Sequence, residues 1–239
     1  TVGTTNERVI WWFMVEYRYE LKYVISKPIA EMLKKQLSAV MELDRHSISE
    51  KYSYDVRSLY FDDAYSTSLD EKRDGVQFRS KYRIRIYNYS SEYIKLECKH
   101  KDIDMTYKEE VELPLKAAMA ICEGKYYQII SKNNFLNKFL ANAQIRQLRP
   151  SVIVDYRRTA FAHPVSKTRI TFDEYIRSGK YNCDLFDENI ETVPITKPDE
   201  IVLEVKCNDF IPAHITAILN SVPKLRQAIS KFAYCRMVK

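Results

Sequence analysis

One stretch constrains this chain more than any other: Arg79-Ser80-Lys81-Tyr82-Arg83-Ile84-Arg85-Ile86-Tyr87. Its cations, Arg79, Lys81, Arg83 and Arg85, stand at every second position. In a β-strand, alternate side chains share a face, so these cations would point the same way, about 7 Å apart. Tyr82, Ile84 and Ile86 would take the opposite face. Like charges at such spacing repel by a few kcal/mol at an effective dielectric near ~20. A wet sheet face usually mixes both charges with Ser, Thr and Gln. A uniformly cationic one suits a polyanionic ligand.

The triplet Glu-x-Lys repeats the theme at Glu20-Leu21-Lys22, Glu97-Cys98-Lys99 and Glu204-Val205-Lys206, and Arg169-Ile170-Thr171-Phe172-Asp173 has the same layout. Each puts ionic residues on one strand face and apolar residues on the other. Glu20 and Glu97 are read as carboxylates that orient neighbouring cations.

Net charge is +6 with pI about 8.9, which favours anionic partners. Basic residues lie on strands among acidic ones and no RNA-binding motif occurs, so nucleic acid is not the expected ligand. With four glycines and no Gly-rich loop, a P-loop and a dinucleotide fingerprint are excluded, and side-chain cations must do any phosphate binding. Five cysteines without a CxxC pair point to a reduced, cytoplasmic protein. The four histidines lack metal-site spacing. No apolar run approaches the ~20 residues of a membrane span. Residues 1–14 join no later pattern and are read as an extension outside the fold, with 15–239 as a single domain.

Alternation predicts eight strands, at residues 17–25, 54–62, 76–88, 92–100, 105–113, 151–161, 167–176 and 201–207. Asn88-Tyr89-Ser90-Ser91 predicts a hairpin turn, and Asp62-Asp63 a strand-end turn rather than a metal site. Helical spacing predicts helices over 27–43, after Pro114, over 134–148, over 212–221 and over 224–236, with a charged connection at 64–75. The fold expected is α+β: a closed eight-stranded antiparallel β-barrel with helices outside and an ionic channel inside.

The motifs come in an order that resembles a known family. They are Arg-x-Glu-x-Lys-Tyr (18–23), Ser-Leu-Tyr-Phe-Asp (58–62), Lys-x-Arg-Ile-Arg-x-Tyr (81–87), Leu-Glu-x-Lys (96–99), Arg-Thr-Ala-Phe (158–161), Thr-Arg-Ile-Thr-Phe-Asp (168–173), Leu-Glu-Val-Lys (203–206) and Ser-Lys-Phe (230–232). This is similar to the polyphosphate polymerase domain of the vacuolar transporter chaperone (VTC) complex and its bacterial stand-alone relatives, among the triphosphate tunnel metalloenzymes. The resemblance implies a tunnel that binds triphosphate or polyphosphate and moves the γ-phosphate of ATP, or another nucleoside triphosphate, onto a polyphosphate chain. It implies Arg83, Arg85, Arg158, Arg169 and Lys231 at the reacting phosphates, and Arg18, Lys22, Lys81, Lys99 and Lys206 as further phosphate-binding cations. It implies Glu204 as the ligand of Mn²⁺ or Mg²⁺. Family relatives often work beside a membrane protein, which nothing in this sequence displays.

Hydrolytic and cyclase members usually begin Glu-x-Glu-x-Lys, where this chain has Arg18. Losing that carboxylate removes a ligand for a second metal and favours the polymerase branch. A triphosphate hydrolase and a non-catalytic polyphosphate or nucleotide sensor stay open as alternatives. Glu109, Glu110 and Glu112 crowd the fifth strand, where the resemblance implies more cations.

Overall fold

The computed structural model describes residues 16–44 and 52–238. The extension at 1–14 and most of the loop after Asp44 lie outside the described residues. In chain order the elements begin with β1 (Tyr19–Ser26), α1 (Lys27–Leu37), β2 (Glu42–Leu43), β3 (Tyr54–Asp62) and α2 (Thr67–Arg73). Next come β4 (Phe78–Tyr87), β5 (Ser90–Asp102), β6 (Met105–Leu113), α3 (Leu115–Cys122), a 3₁₀ turn at Tyr126–Gln128 and α4 (Asn134–Ile145). The chain continues through β7 (Arg149–Ala162), β8 (Arg169–Ser178), β9 (Val193–Pro194), β10 (Glu200–Cys207), α5 (Ala213–Asn220), β11 (Leu225–Arg226) and α6 (Lys231–Met237).

Antiparallel strands with flanking helices form as expected, but the closed eight-stranded barrel does not. The sheet has 11 strands on an open path, β11-β1-β10-β8-β7-β3-β4-β5-β6, with β2 on β7 and β9 on β8. Three of these strands are two-residue pieces too short to show in sequence alternation. One of them explains the missing closure. β11 occupies the edge of β1 at Tyr23 and Val24, so β6 cannot pair there. Among the described residues the two ends of the path pair through the backbone only at an isolated bridge, where Arg18 and Thr106 exchange hydrogen bonds of 3.0 Å.

The β4–β5 hairpin turns at Asn88 and Tyr89, both at positive φ, which matches the right-handed twist of the strands. The helix expected over 27–43 ends at Leu37. The one expected over 224–236 begins only at Lys231, because Leu225–Arg226 is drawn into the sheet and the Ser230 side chain caps Ala233 N–H. The connection at 64–75 contains α2, a polar surface helix with no apolar period to betray it.

The alternation sorts the core. On the convex face, Tyr82, Ile84 and Ile86 pack under α3 and α4, with Phe139 edge-on to Phe61 and Tyr82 at ring distances of 5.8 and 5.1 Å. Ala30, Leu33 and Leu37 of α1, with Ile215 and Leu219 of α5, cover Ile170, Phe172, Leu203 and Val205. On the concave face, Tyr54, Val56, Val152, Val154 and Ile176 close around Phe232 and Cys235 of α6. Among the described residues no helix is long and apolar enough to cross a membrane.

Candidate functional site

Beside α6, the concave face holds a cavity of about 320 Å³, at the small end of ligand pockets. Fourteen of its lining residues are Lys or Arg and three are acidic, so the walls cannot neutralise themselves. The β4 alternation brings Arg79, Lys81, Arg83 and Arg85 to it together. The Glu-x-Lys strands add Glu20, Lys22, Lys99, Glu204 and Lys206, while Arg158 and Lys231 come from β7 and α6.

The deepest cations are anchored from behind. Arg83 donates through Nε to Glu97 at 2.6 Å and through a terminal nitrogen to the Tyr60 hydroxyl at 2.8 Å. Arg85 donates to Ser58 Oγ and the Tyr156 hydroxyl, each at 3.1 Å, and lies 3.6 Å from Glu97. Glu97 also takes Lys108 at 2.9 Å and is 1% exposed. Arg158 grips Asp173 with two hydrogen bonds, 2.6 and 2.8 Å, and Lys231 reaches the same carboxylate at 2.5 Å. Burial opposes the charge on Glu97, but Arg83, Arg85 and Lys108 overcome it and hold the carboxyl well below its usual range. Each guanidinium spends some of its five N–H donors on these anchors and keeps the rest.

Glu204 is held differently. It is 4% exposed, and its oxygens lie 3.4 Å from Lys206, 3.6 Å from Lys22 and 3.9 Å from Arg158. Among the described residues none of these contacts is a hydrogen bond. Burial raises its pKa, yet Lys206, Lys22, Lys231 and Lys99 carry it well below the carboxylate range. The hydroxyl of Thr171, its register neighbour on β8, is buried without a partner. Glu204 is thus an ionised carboxylate with unspent lone pairs beside an unpartnered hydroxyl.

Those groups fit a hard divalent cation on limited terms. Among the described residues no cluster of three or more His, Cys, Asp or Glu side chains could hold a metal alone. Mg²⁺ commonly binds through one or two carboxylates, keeping waters and taking substrate phosphates as its other ligands. Glu204 can supply that carboxylate. Glu20 is less available, since it pairs closely with Lys99, lies 3.4 Å from Arg18 and accepts from Thr106 Oγ1 at 3.2 Å.

The cations outnumber what the cavity can comfortably ionise by itself. Burial, then Arg79, Lys72, Lys22 and Lys99, pushes Lys81 down to about 7. Burial lowers Lys99 to about 8 against the pull of Glu20. Burial holds Lys206 well below the lysine range despite Glu204 and Glu20.

Of the residues singled out in the sequence, Arg18, Lys22, Lys81, Arg83, Arg85, Lys99, Arg158, Lys206, Lys231 and Glu204 all line this one cavity. Arg169 does not. It lies next to Lys206 in register but donates to Asp44 at 2.6 Å and to the Tyr54 hydroxyl at 3.2 Å. Sequence reasoning missed Asp173 as the anchor of Arg158 and Lys231, although Asp173 shares the parity of Arg169. It also missed the lining residues Lys72, Lys101, Lys108 and Arg226, and the hydroxyls of Tyr60 and Tyr156. The acidic crowding on β6 resolves by position. Lys108 faces the cavity, Glu109 pairs on the convex side with His100 at 3.0 Å, and Glu110 pairs with Lys95 and Lys108.

The fold has solved relatives. A Hippeastrum adenylyl cyclase-like protein, described as having a dominant triphosphatase activity, superposes with a TM-score of 0.57 at 14% identity, covering 92% of this chain and 95% of that one. An adenylate cyclase-like protein from Bacillus halodurans matches with a TM-score of 0.48 at 15% identity, over 86% of this chain and 88% of that one. The Mimivirus capping enzyme triphosphatase matches with a TM-score of 0.40 at 13% identity, over 86% and 88%. At these identities the likeness concerns the fold alone. No curated protein matches the sequence. The model of the VTC domain matches residues 17–238, nearly the whole chain, and this protein belongs to the VTC domain family.

Proposed function

We propose that this chain is a metal-assisted phosphotransferase that moves the γ-phosphate of ATP, or another nucleoside triphosphate, onto the end of a polyphosphate chain. One observation carries the reading: Arg83, Arg85, Arg158 and Lys231 converge, each braced by a buried carboxylate, on a cavity whose cations far outnumber its acids. Membership of the VTC domain family supports it.

Phosphoryl transfer asks the protein for alignment and charge neutralisation rather than covalent chemistry. Arg83 and Arg85, fixed by Glu97, Tyr60, Ser58 and Tyr156, present their remaining N–H groups to phosphate oxygens. Arg158 comes from β7 with its plane set by Asp173, and Lys231 adds a point charge there. Arginines suit bidentate phosphate contact and lysines act as single charges. Arg18, Lys22, Lys81, Lys99 and Lys206 hold the phosphates on either side. The rings of Tyr60, Tyr156 and Phe232 wall off bulk water beside the reacting group. Glu204 would hold Mn²⁺ or Mg²⁺, which supplies further neutralisation of charge on the phosphate oxygens.

Arg18 favours transfer to a phosphate chain over hydrolysis. With Lys99 it neutralises Glu20, the second carboxylate of the cavity, whose pKa, opposed by burial, is held down to about 2 by Lys99, Lys206 and Lys22. A Glu20 so engaged is a poor ligand for a second metal or a poor base for water. Triphosphate hydrolysis is the rival reading, favoured by the activity described for the Hippeastrum protein of the same fold. Purified protein given ATP and Mn²⁺ distinguishes them. Long polyphosphate chains support the proposal, free phosphate alone supports hydrolysis, and tight binding with neither product indicates a sensor.

A further inference from the structure

The convex face of the sheet, away from the cavity, carries a second constellation that phosphate binding does not use. Ser80 stands directly opposite His100, and His100 opposite Tyr107. Ser80 Oγ lies 2.7 Å from His100 Nδ1, and the other ring nitrogen, Nε2, lies 3.0 Å from Glu109 Oε2. A serine, a histidine and a carboxylate in one unbroken hydrogen-bonded line can turn a hydroxyl into a nucleophile. The three residues come from the adjacent strands β4, β5 and β6, so the ladder itself fixes their spacing.

The partners settle where the protons sit. A carboxylate oxygen accepts and does not donate, so Glu109 takes the Nε2 hydrogen. In the neutral ring Nδ1 is then a free lone pair, and the Ser80 hydroxyl donates to it. This is the tautomer that a general base needs. Lys138 of α4 stands 3.6 Å from Glu109. Burial first, with Lys138 adding to it and Glu109 opposing, lowers the pKa of His100, so the ring is neutral at pH 7. Tyr107 stacks on the imidazole with ring centres 4.4 Å apart, and Tyr17 meets Tyr107 edge-on at 5.3 Å. A hydrogen-bonded chain that only completed the core would be sealed from solvent. Here Ser80, His100 and Glu109 are each only partly buried. Phe78, two residues before Ser80 on the same face, is 64% exposed. Phe78 and Tyr107 therefore flank the Ser80–His100 pair with apolar surface on which an acyl group can pack.

We propose that Ser80, with His100 as its general base and Glu109 positioning the ring, is a nucleophile that accepts the acyl group of activated carboxylic esters. Ser80 Oγ bonds to the ester carbonyl carbon as its proton passes to His100 Nδ1. The bond from that carbon to the aryloxide oxygen breaks, and the departing aryloxide takes the proton from His100. The products are an acylated Ser80 and a free phenol. This reactivity is independent of the cavity on the other face.

The test gives the full chain p-nitrophenyl acetate, follows nitrophenol release, and maps the acetyl group by peptide mass spectrometry. Wild type is expected to release nitrophenol in a burst and to carry the acetyl group on Ser80. His100→Gln should slow acetylation of Ser80 by about a hundredfold or more, the scale of general-base catalysis. Ser80→Ala should abolish the burst and leave metal-free tripolyphosphate affinity unchanged, because Ser80 does not line the cavity. Glu109→Gln should cause a smaller loss and move the pH midpoint of acetylation downward, since Glu109 is the group that holds the His100 pKa up. An unmoved midpoint would overturn the positioning role of Glu109. Acetyl groups on lysines or tyrosines with Ser80 bare would overturn the site from wild type alone, whether or not a variant folds. So would equally fast Ser80 acetylation in His100→Gln, or a burst that survives Ser80→Ala.

Discussion

The concave face of one sheet does two opposite things in this molecule. On β3, β7 and β8 its side chains are Tyr54, Val56, Val152, Val154 and Ile176, and they bury α6. On β4, β5, β6, β1 and β10, and at Arg158 of β7, the same face carries Arg, Lys and Glu around an open volume. Both halves obey the same alternation. The apolar half gains free energy by removing surface from water, and the chain fills it with its own helix. The ionic half would lose more by desolvation than it gained by collapse, so it stays open for an external anion. Phe232 and Lys231, adjacent at the start of α6, mark the border. Phe232 packs against Tyr60 in the apolar half with ring centres 5.1 Å apart, and Lys231 reaches into the ionic half.

The strongest way to break this comparison is Glu204→Gln. If Glu204 holds a divalent cation, turnover should fall by orders of magnitude, since metal stabilisation of phosphoryl transfer is worth several kcal/mol. Metal-free tripolyphosphate binding should persist or tighten, because a repulsive carboxylate has gone. Near-normal Mn²⁺-dependent turnover with a lowered melting temperature would instead make Glu204 an ion-pair partner only.

Phe232→Ala probes the apolar half. Removing a fully buried ring should cost about 3–5 kcal/mol of stability, read as a lower urea midpoint at unchanged slope. A loss under about 1 kcal/mol would mean that α6 is not part of the core.

Lys81→Met should act in the opposite sense. Its charge is repelled by Arg79, Lys72, Lys22 and Lys99. Replacement should raise the melting temperature of the ligand-free protein and weaken tripolyphosphate by about tenfold. A lower melting temperature would show that Lys81 is structural, like the apolar residues across the border.

The smallest effect sharpens the same point through pH. Burial and then its cationic neighbours push Lys81 down to about 7. A bound polyanion favours its charged form, so binding takes up protons above about pH 7, and affinity falls as pH rises from there. For folding the sign is reversed. The unfolded chain keeps an ordinary lysine and binds more protons, so this group makes the ligand-free protein more stable as pH rises above about 7. Calorimetry in buffers of different ionisation enthalpy reads the uptake directly. Heats independent of buffer would remove the linkage.

Much of this was legible in the chain. The four cations of β4, the three Glu-x-Lys strands and the motif order brought ten of the eleven residues singled out for the site to one cavity. Arg169 failed for a reason that parity cannot show. It occupies the correct face but a position along β8 where Asp44 and Tyr54 capture it. Asp173 and Glu97 could be seen as acids on ionic faces. That they brace particular arginines depends on which strands lie side by side.

The sequence by itself determined which side chains share a face, because strand alternation is a local property of the backbone that needs no distant partner. It also determined that one such face could not be buried against apolar groups. Tertiary structure alone decided how the strands meet. The two-residue β11 took the edge of β1 and left the sheet open except at the Arg18–Thr106 bridge. The insertion of α6 divided the interior into core and cavity. Those outcomes depend on register and curvature, which are set by contacts between residues far apart in the chain, and no local pattern encodes them.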